Sequence, residues 1–186
     1  MISSVPGADV ALHHDDGFEF SAALFGAWCA GKRPWLPGDT LPATLSRLRG
    51  QVAGFAGDWA DGVAAIKPDA APRAGRVGAA PIALGLPGGA LDPAACSLVL
   101  HTSGSTGEPV AIAKSLAQLE AEVAALEARF GDALGGAQVQ GTVSHQHIYG
   151  LLFRLLWPLS AGRPFARHRL AYNEELVPLG AEPLVL

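Results

Sequence analysis

The sequence predicts an α/β fold with a mostly parallel sheet flanked by helices. Short apolar runs typical of strands alternate with segments of helical periodicity along the 186 residues. Apolar residues make up 49% of the chain and charged residues 16%, which is the composition of a compact protein rather than a disordered one. Glycine and proline clusters separate the runs and place turns between them.

The first third of the chain predicts two helices and several short strands. Helical spacing of apolar residues covers 17–30 and ends at Gly31, a residue suited to a helix C-cap. Residues 33–37 are expected to be extended because their prolines exclude a helix interior. A second helix is predicted at 40–48, and short strands at 51–55 and 63–66.

The rest of the chain continues the alternation. Residues 67–93 are rich in alanine, glycine and proline, which predicts a loop-rich connection with one strand candidate at 82–84. The clearest helix spans 115–130 and begins with a capping box formed by Ser115 and Gln118. The other predicted elements are strands at 96–100, 110–113 and 139–143 and a buried helix at 148–157.

Charge and hydropathy exclude several classes of protein. The net charge of −4 argues against a nucleic-acid surface, which needs clustered lysine and arginine. We interpret the basic cluster of Arg163, Arg167, His168 and Arg169 as a solvated edge. The apolar run 148–159 is too short to cross a bilayer and contains Arg154, which is expected either to reach solvent or to pair with a carboxylate.

The cysteines and histidines give weak signals. Cys29 and Cys96 match no metal motif and are predicted to be buried thiols. Residues 1–16 lack a signal-peptide pattern. Because the cysteines also give no disulfide framework, we expect a cytoplasmic protein. A metal pair at His145 and His147 is disfavoured because no acidic or thiol ligands accompany it. The run 13–16 is interpreted as a solvated turn, and the four tryptophans as core or pocket-lid aromatics.

Residues 101–109 form the most informative stretch. They lie between two predicted strands and read His-Thr-Ser-Gly-Ser-Thr-Gly-Glu-Pro. Glycines allow the backbone to approach a ligand closely, and successive N–H groups in a turn, with hydroxyls beside them, suit an oxyanion. The spacing fits neither a Walker loop nor a dinucleotide fingerprint, and no hydrolase elbow is present. We therefore predict a phosphate-binding loop.

The loop resembles the signature loop of the acyl-adenylate-forming superfamily, which includes acyl-CoA synthetases, peptide-synthetase adenylation domains and luciferases. A second stretch, 144–150, resembles the downstream motif in which a histidine opens a helix that lines the acyl pocket. The specific part of the resemblance spans 96–159. It implies that the chain is an incomplete N-terminal adenylation domain over 1–186.

The resemblance also implies a reaction and a set of residues. A carboxylic acid attacks the α-phosphate of ATP with Mg²⁺, and coenzyme A or an acyl carrier protein then takes the acyl group. His147 matches the family histidine in the active site, while Tyr149, Gly150 and Phe153 fall in the acyl pocket. The residues implied to bind nucleotide are Thr102, Ser103, Gly104, Ser105, Thr106 and Gly107. No side chain is predicted to bind a metal directly.

Two features depart from the family pattern. The family loop continues with a lysine, whereas this chain has Val110, and Lys114 lies about 13 Å further along the strand at the usual rise per residue. Family members are also much longer. The favoured hypothesis is the N-terminal portion of an acyl- or aryl-acid adenylating ligase, incomplete by itself. Val110 and the short length favour the alternative, a non-catalytic module that binds a nucleotide, acyl group or carrier protein. A third hypothesis is a half that pairs with a separate chain.

One face of the predicted helix at 148–157 bears on the kind of acid. The face formed by Tyr149, Phe153 and Trp157, spaced four residues apart on one helix, suggests a flat aromatic or unsaturated chain. Core packing explains these three residues equally well.

Overall fold

The computed structural model describes residues 8–60, 63–66, 90–102, 109–172 and 174–175. The strands are β1 Asp9–His13, β2 Arg33–Leu36, β3 Gly54–Gly57, β4 Ala65–Ile66, β5 Ser97–Thr102 and β6 Val110–Ser115. The helices are α1 Gly17–Cys29, α2 Pro42–Leu48, α3 Leu116–Leu134 and α4 Trp157–Ser160, and a π-helical segment, Gly150–Leu156, runs directly into α4.

The strands form a single mixed sheet in the order β4-β3-β1-β2-β5-β6. Strands β1 to β5 are parallel, and β6 runs antiparallel to β5 with Thr102 opposite Val110. The predicted α/β class with a mostly parallel sheet is therefore confirmed. The parallel arrangement brings the carboxyl ends of β1, β2, β3 and β5 to one edge of the sheet, which we call the carboxyl edge.

The central strand β1 was not among the predicted elements. Val10, Ala11 and Leu12 are all buried because parallel neighbours flank the strand and other elements cover both faces. The interpretation of 13–16 as a solvated turn was wrong for its first half, since His13 ends β1 and His14 is buried.

Local signals set the helix starts. The Asp16 side chain caps α1 by accepting hydrogen bonds from the N–H groups of Phe18 and Glu19. The predicted capping box at α3 is confirmed, with Gln118 N–H donating to Ser115 Oγ and Ser115 N–H donating to Gln118 Oε1. Both helices contribute large side chains to one apolar core. Its largest fully buried members include Phe20, Leu24, Leu98, Leu119, Leu151, Leu155 and Trp157.

The region after α3 differs from its prediction. The expected strand at 139–143 was wrong: only Val139 forms a bridge, with Phe165. The predicted helix at 148–157 is helical, but its middle is π-helical, with Trp157 N–H donating to Leu152 C=O five residues back. No helix among the described residues is long and apolar enough to cross a bilayer.

Candidate functional site at the carboxyl edge

The two ends of the predicted phosphate loop lie at the carboxyl edge. Thr102 is the last residue of β5 and pairs with Val110, the first of β6. In open parallel sheets the carboxyl edge is where ligands bind. Residues 103–108 lie outside the described part of the chain, so the predicted roles of Ser103, Gly104, Ser105, Thr106 and Gly107 stay predictions. The predicted strands on either side of the loop and the helix that follows are confirmed.

The loop end at β6 carries an apolar side chain. Val110, which stands where the resemblance expects lysine, is 53% exposed. Lys114 does not take the place of that lysine, because its Nζ donates to Glu122 Oε1 at 2.7 Å on the neighbouring helix α3. The cation that the family loop supplies therefore has no replacement from this strand.

A polar cluster that was not predicted lies at the ends of β1 and β3. His14 Nδ1 lies 3.3 Å from Asp58 Oδ2 and links the segments that follow these strands. Gly57, with φ of +100°, packs so closely against the main chain of His13 and the ring of His14 that a Cβ would collide with His13 C=O. Burial lowers the pKa of His13. In the sequence, the adjacent residues His13 and His14 were the signal that could have indicated this cluster.

A second histidine joins the loop before the π-helix to this cluster. His145 is only 2% exposed, and its Nε2 donates to His14 C=O at 2.6 Å. The Gln146 side chain donates to the same oxygen at 3.3 Å. Burial is the main cause that lowers the pKa of His145 to about 4, and the charge of Arg154 adds to it. His145 is therefore a neutral structural group at pH 7.

The residues predicted for the acyl pocket are brought together. His147 is exposed and stacks on Tyr149, with ring centroids 5.5 Å apart and planes 25° apart. Tyr149 lies against Phe153, and Phe153 meets Trp157 edge to face at 5.9 Å. The side chain of Tyr149 is 62% exposed. We call His147, Tyr149, Phe153 and Trp157 the aromatic row. It runs from the exposed ring of His147 to the buried ring of Trp157.

Gly150 has a packing role within this row. A Cβ at Gly150 would collide with Ser144 C=O, so the residue must be glycine for the π-helix to pack on the preceding turn. His145 and His147 point to different environments, one buried and one exposed, so they do not form a pair. Within the described ranges, no group of three His, Cys, Asp or Glu side chains is placed to hold a metal ion.

The basic cluster after α4 is not simply a solvated edge. The Arg163 side chain is mostly buried and forms a bidentate ion pair with Glu127, with Nη1 and Nη2 at 2.5 and 2.8 Å from its two carboxylate oxygens. Trp157 Nε1 donates to the same carboxylate. Hydrogen bonds, the larger effect from Arg163 and the smaller from Trp157, lower the pKa of Glu127 to about 2. Arg167 pairs with Asp16 and ties this region to α1.

A cavity of about 530 Å³ lies at the opposite, amino edge of the sheet. Cys29 and Cys96 line it, so both thiols are half-buried rather than fully buried as predicted. Burial is the main cause that raises the pKa of Cys96. A thiol with a raised pKa is a weak nucleophile at neutral pH, so Cys96 is not an activated nucleophile.

Comparisons with solved structures agree with the fold prediction. The o-succinylbenzoate coenzyme A synthetase from Bacillus subtilis, in complex with ATP and magnesium ion, matches with a TM-score of 0.63 at 16% identity over 97% of this chain. The same enzyme with an acyl-adenylate intermediate matches over 93% of this chain, with the same TM-score and identity. A nonribosomal peptide synthetase in an AMPPNP-bound form matches with a TM-score of 0.60 at 17% identity over 91%.

The chain shares the fold of these synthetases. Because the identities are low, the likeness extends to the fold alone, and it confirms the predicted α/β fold. The chain spans about half the length of the coenzyme A synthetase, 49% and 46% in the two matches, and 18% of the peptide synthetase. No protein-family model matches the chain, and no curated protein matches it in sequence.

Proposed function

We propose that the chain forms part of an ATP-dependent ligase that adenylates an acyl or aryl carboxylic acid. One observation carries this proposal. The Ser/Thr/Gly-rich segment is bounded by Thr102 and Val110 at the carboxyl edge of a sheet whose fold is that of synthetases solved with ATP and with an acyl-adenylate. Coenzyme A or an acyl carrier protein would accept the acyl group. A cytoplasmic location belongs to the same proposal.

The roles proposed for the chain follow from its chemistry. The hydroxyl and backbone N–H groups of 102–107 would hold the phosphates of ATP and stabilise the charge that develops on pyrophosphate. The aromatic row from His147 to Phe153 would line the pocket for the acid, with Gly150 keeping the helix close to its preceding turn. The exposed imidazole of His147 would orient the acid beside the nucleotide.

The described residues offer no preformed site for a free metal ion. Within them, no group of three His, Cys, Asp or Glu side chains is placed to hold one. Mg²⁺ commonly binds through substrate phosphates with one or two carboxylates. It would therefore arrive with ATP and neutralise phosphate charge, while the loop provides the fixed dipoles.

Titration calorimetry with Mg-ATP tests this proposal. The full chain is expected to bind, and the double substitution Ser103→Ala with Thr106→Ala is expected to weaken binding at least about tenfold because two hydroxyl donors are lost. The matched control is Ser160→Ala, whose hydroxyl donates within α4, away from the carboxyl edge. Absence of Mg-ATP binding by the unaltered chain would contradict the proposal.

A non-catalytic binding module is the second candidate, and Val110 favours it. An apolar residue at this position removes a point charge that anchors phosphates. In this case, the aromatic row would bind an acyl group or a carrier protein without ATP. The calorimetric experiment separates the ligase from a module that binds only an acyl group or a carrier protein, since of these two only the ligase binds Mg-ATP. Because the chain spans half of the coenzyme A synthetase, we expect it to lack full ligase turnover by itself.

A further inference from the structure

Arg154 is a buried cation in an unusual setting. Its side chain is 4% exposed, and Nη1 donates to Val143 C=O at 2.9 Å. The aliphatic stem lies on Gly141, where an added Cβ would come within 2.7 Å of Cδ. The expectation that Arg154 reaches solvent or pairs with a carboxylate was wrong, because within the described residues it does neither.

The electrostatic surroundings of Arg154 are incomplete. Burying a charge is costly unless it is paired, and one carbonyl oxygen is weak compensation for a guanidinium. The charged neighbour that acts on its pKa is Arg169, which has the same sign; burial lowers the pKa most, and Arg169 lowers it further. Leu170 N–H donates to Gly141 C=O at 3.0 Å, so the main chain places Arg169 beside the same turn.

The unused edge of the guanidinium has the geometry of an anion receptor. Val143 engages Nη1, whereas Nε and Nη2 make no hydrogen bond to any described residue. Elsewhere in this chain, the same edge of Arg33 grips Asp9, with Nε and Nη2 at 2.6 and 2.9 Å from the two carboxylate oxygens. A planar fork of this kind matches a carboxylate or a phosphate.

We propose that Arg154 and Arg169 bind an oxyanion, a carboxylate or phosphate group of a ligand, beside the 141–143 turn. The residues of this site lie outside the predicted phosphate loop in the sequence, and the proposal does not depend on the proposed ligase activity. A bound anion would compensate the positive charges of both arginines. Since the turn leads directly to His145 and His147, occupancy would also brace the segment that carries the aromatic row.

The test measures binding of sodium phosphate and of sodium succinate to the full chain by calorimetry, at ionic strength held constant with sodium chloride. At least one anion is expected to bind saturably and to raise the melting temperature. Arg154→Lys keeps the charge but removes the fork and should weaken binding at least about tenfold. Arg169→Gln alters an exposed side chain and should weaken anion binding about threefold or more.

A control variant and a second test variant keep the outcome interpretable. Arg129→Gln alters an exposed arginine on α3 that lies over Phe130 and should leave anion binding unchanged. If Arg154→Lys does not fold, Arg169→Gln carries the test. Response to phosphate alone or to succinate alone identifies the source of the oxyanion. The proposal is overturned if neither anion binds beyond the chloride reference, if Arg169→Gln binds like the unaltered chain, or if Ser105→Ala removes the binding instead.

Discussion

The imidazole Nε2 of His145 donates a hydrogen bond of 2.6 Å to the main-chain oxygen of His14, across 131 residues of sequence. A carbonyl oxygen can only accept, so the bond fixes the proton of the neutral ring on Nε2. The contact anchors the turn before His147 to the carboxyl end of β1, which is the central strand of the parallel part of the sheet. The segment that carries the aromatic row is thereby attached to the same sheet that carries the ends of the predicted phosphate loop.

The buried state of His145 predicts acid sensitivity. Its pKa is about 4 in the folded chain and about 6.5 when unfolded, so below pH 6.5 the unfolded state binds a proton that the folded state excludes. The free energy of unfolding should be complete above pH 6.5 and fall as the pH drops toward 4, by up to about 3 kcal/mol from this residue. Urea unfolding at several pH values measures it.

The substitution His145→Gln isolates this contribution, because glutamine retains a donor but does not titrate. The variant should lose stability at pH 7 yet show a shallower decline between pH 6.5 and 4. His147→Gln is the matched control, since its ring is exposed in the same turn. An unchanged pH slope in His145→Gln would show that the buried ring is not responsible.

Two glycines should respond oppositely to alanine. Gly57 has φ of +100°, and a Cβ there would collide with His13 C=O, so Gly57→Ala should lower the free energy of unfolding by about 3 kcal/mol. Gly26 lies within α1 with open space around its Cα, so Gly26→Ala should raise it by about 0.5–1 kcal/mol. If thermal unfolding showed the same change in stability for both variants, the positive φ of Gly57 and its close contact with His13 would be contradicted.

The ion pair between Glu127 and Arg163 should also stabilise the chain in a pH-dependent way. Hydrogen bonds from Arg163 and then Trp157 hold the pKa of Glu127 at about 2, against 4.5 for a free carboxyl. Stability from the pair is therefore present above pH 4.5 and lost as the pH falls toward 2. Glu127→Gln should lower the melting temperature at pH 7, whereas Glu120→Gln on an exposed part of the same helix should not. Differential scanning calorimetry on both variants decides between these outcomes.

Restoring the cation at the loop end should strengthen nucleotide binding. Val110→Lys places a charge at the start of β6, where the side chain is half exposed, and should raise Mg-ATP affinity about tenfold through one charge-assisted contact. Ile112→Lys introduces the same charge two residues along the same strand face and serves as the control. If both variants change the affinity equally, the effect is general electrostatics rather than a site at Val110.

Local features of the chain were readable from the sequence. The capping box at Ser115 and Gln118 involves neighbours, so its residues predict the start of α3 without knowledge of the rest of the fold. The apolar run before Thr102 likewise predicts β5. The Ser/Thr/Gly segment predicts a turn between β5 and β6, but the antiparallel pairing of these two strands was not predicted.

Features that depend on distant contacts were missed. The burial of His145 arises from a contact with His14, and the π-helix packs through Gly150 on Ser144, neither of which has a periodic signature. The expected strand near Gly141 does not form beyond the bridge at Val139; instead, the stem of Arg154 lies against Gly141. These residues read as ordinary turn or strand formers until the tertiary partners are known.

Hydrogen–deuterium exchange with and without Mg-ATP tests the central claim most directly, namely that the carboxyl edge around Thr102 and Val110 is a nucleotide site. Saturating Mg-ATP should slow exchange of backbone amides in 101–111, with smaller protection in 144–150. The amino-edge cavity near Cys29 and Cys96 should remain unchanged. Protection confined to that cavity, or no protection in 101–111 at saturating nucleotide, would contradict the account.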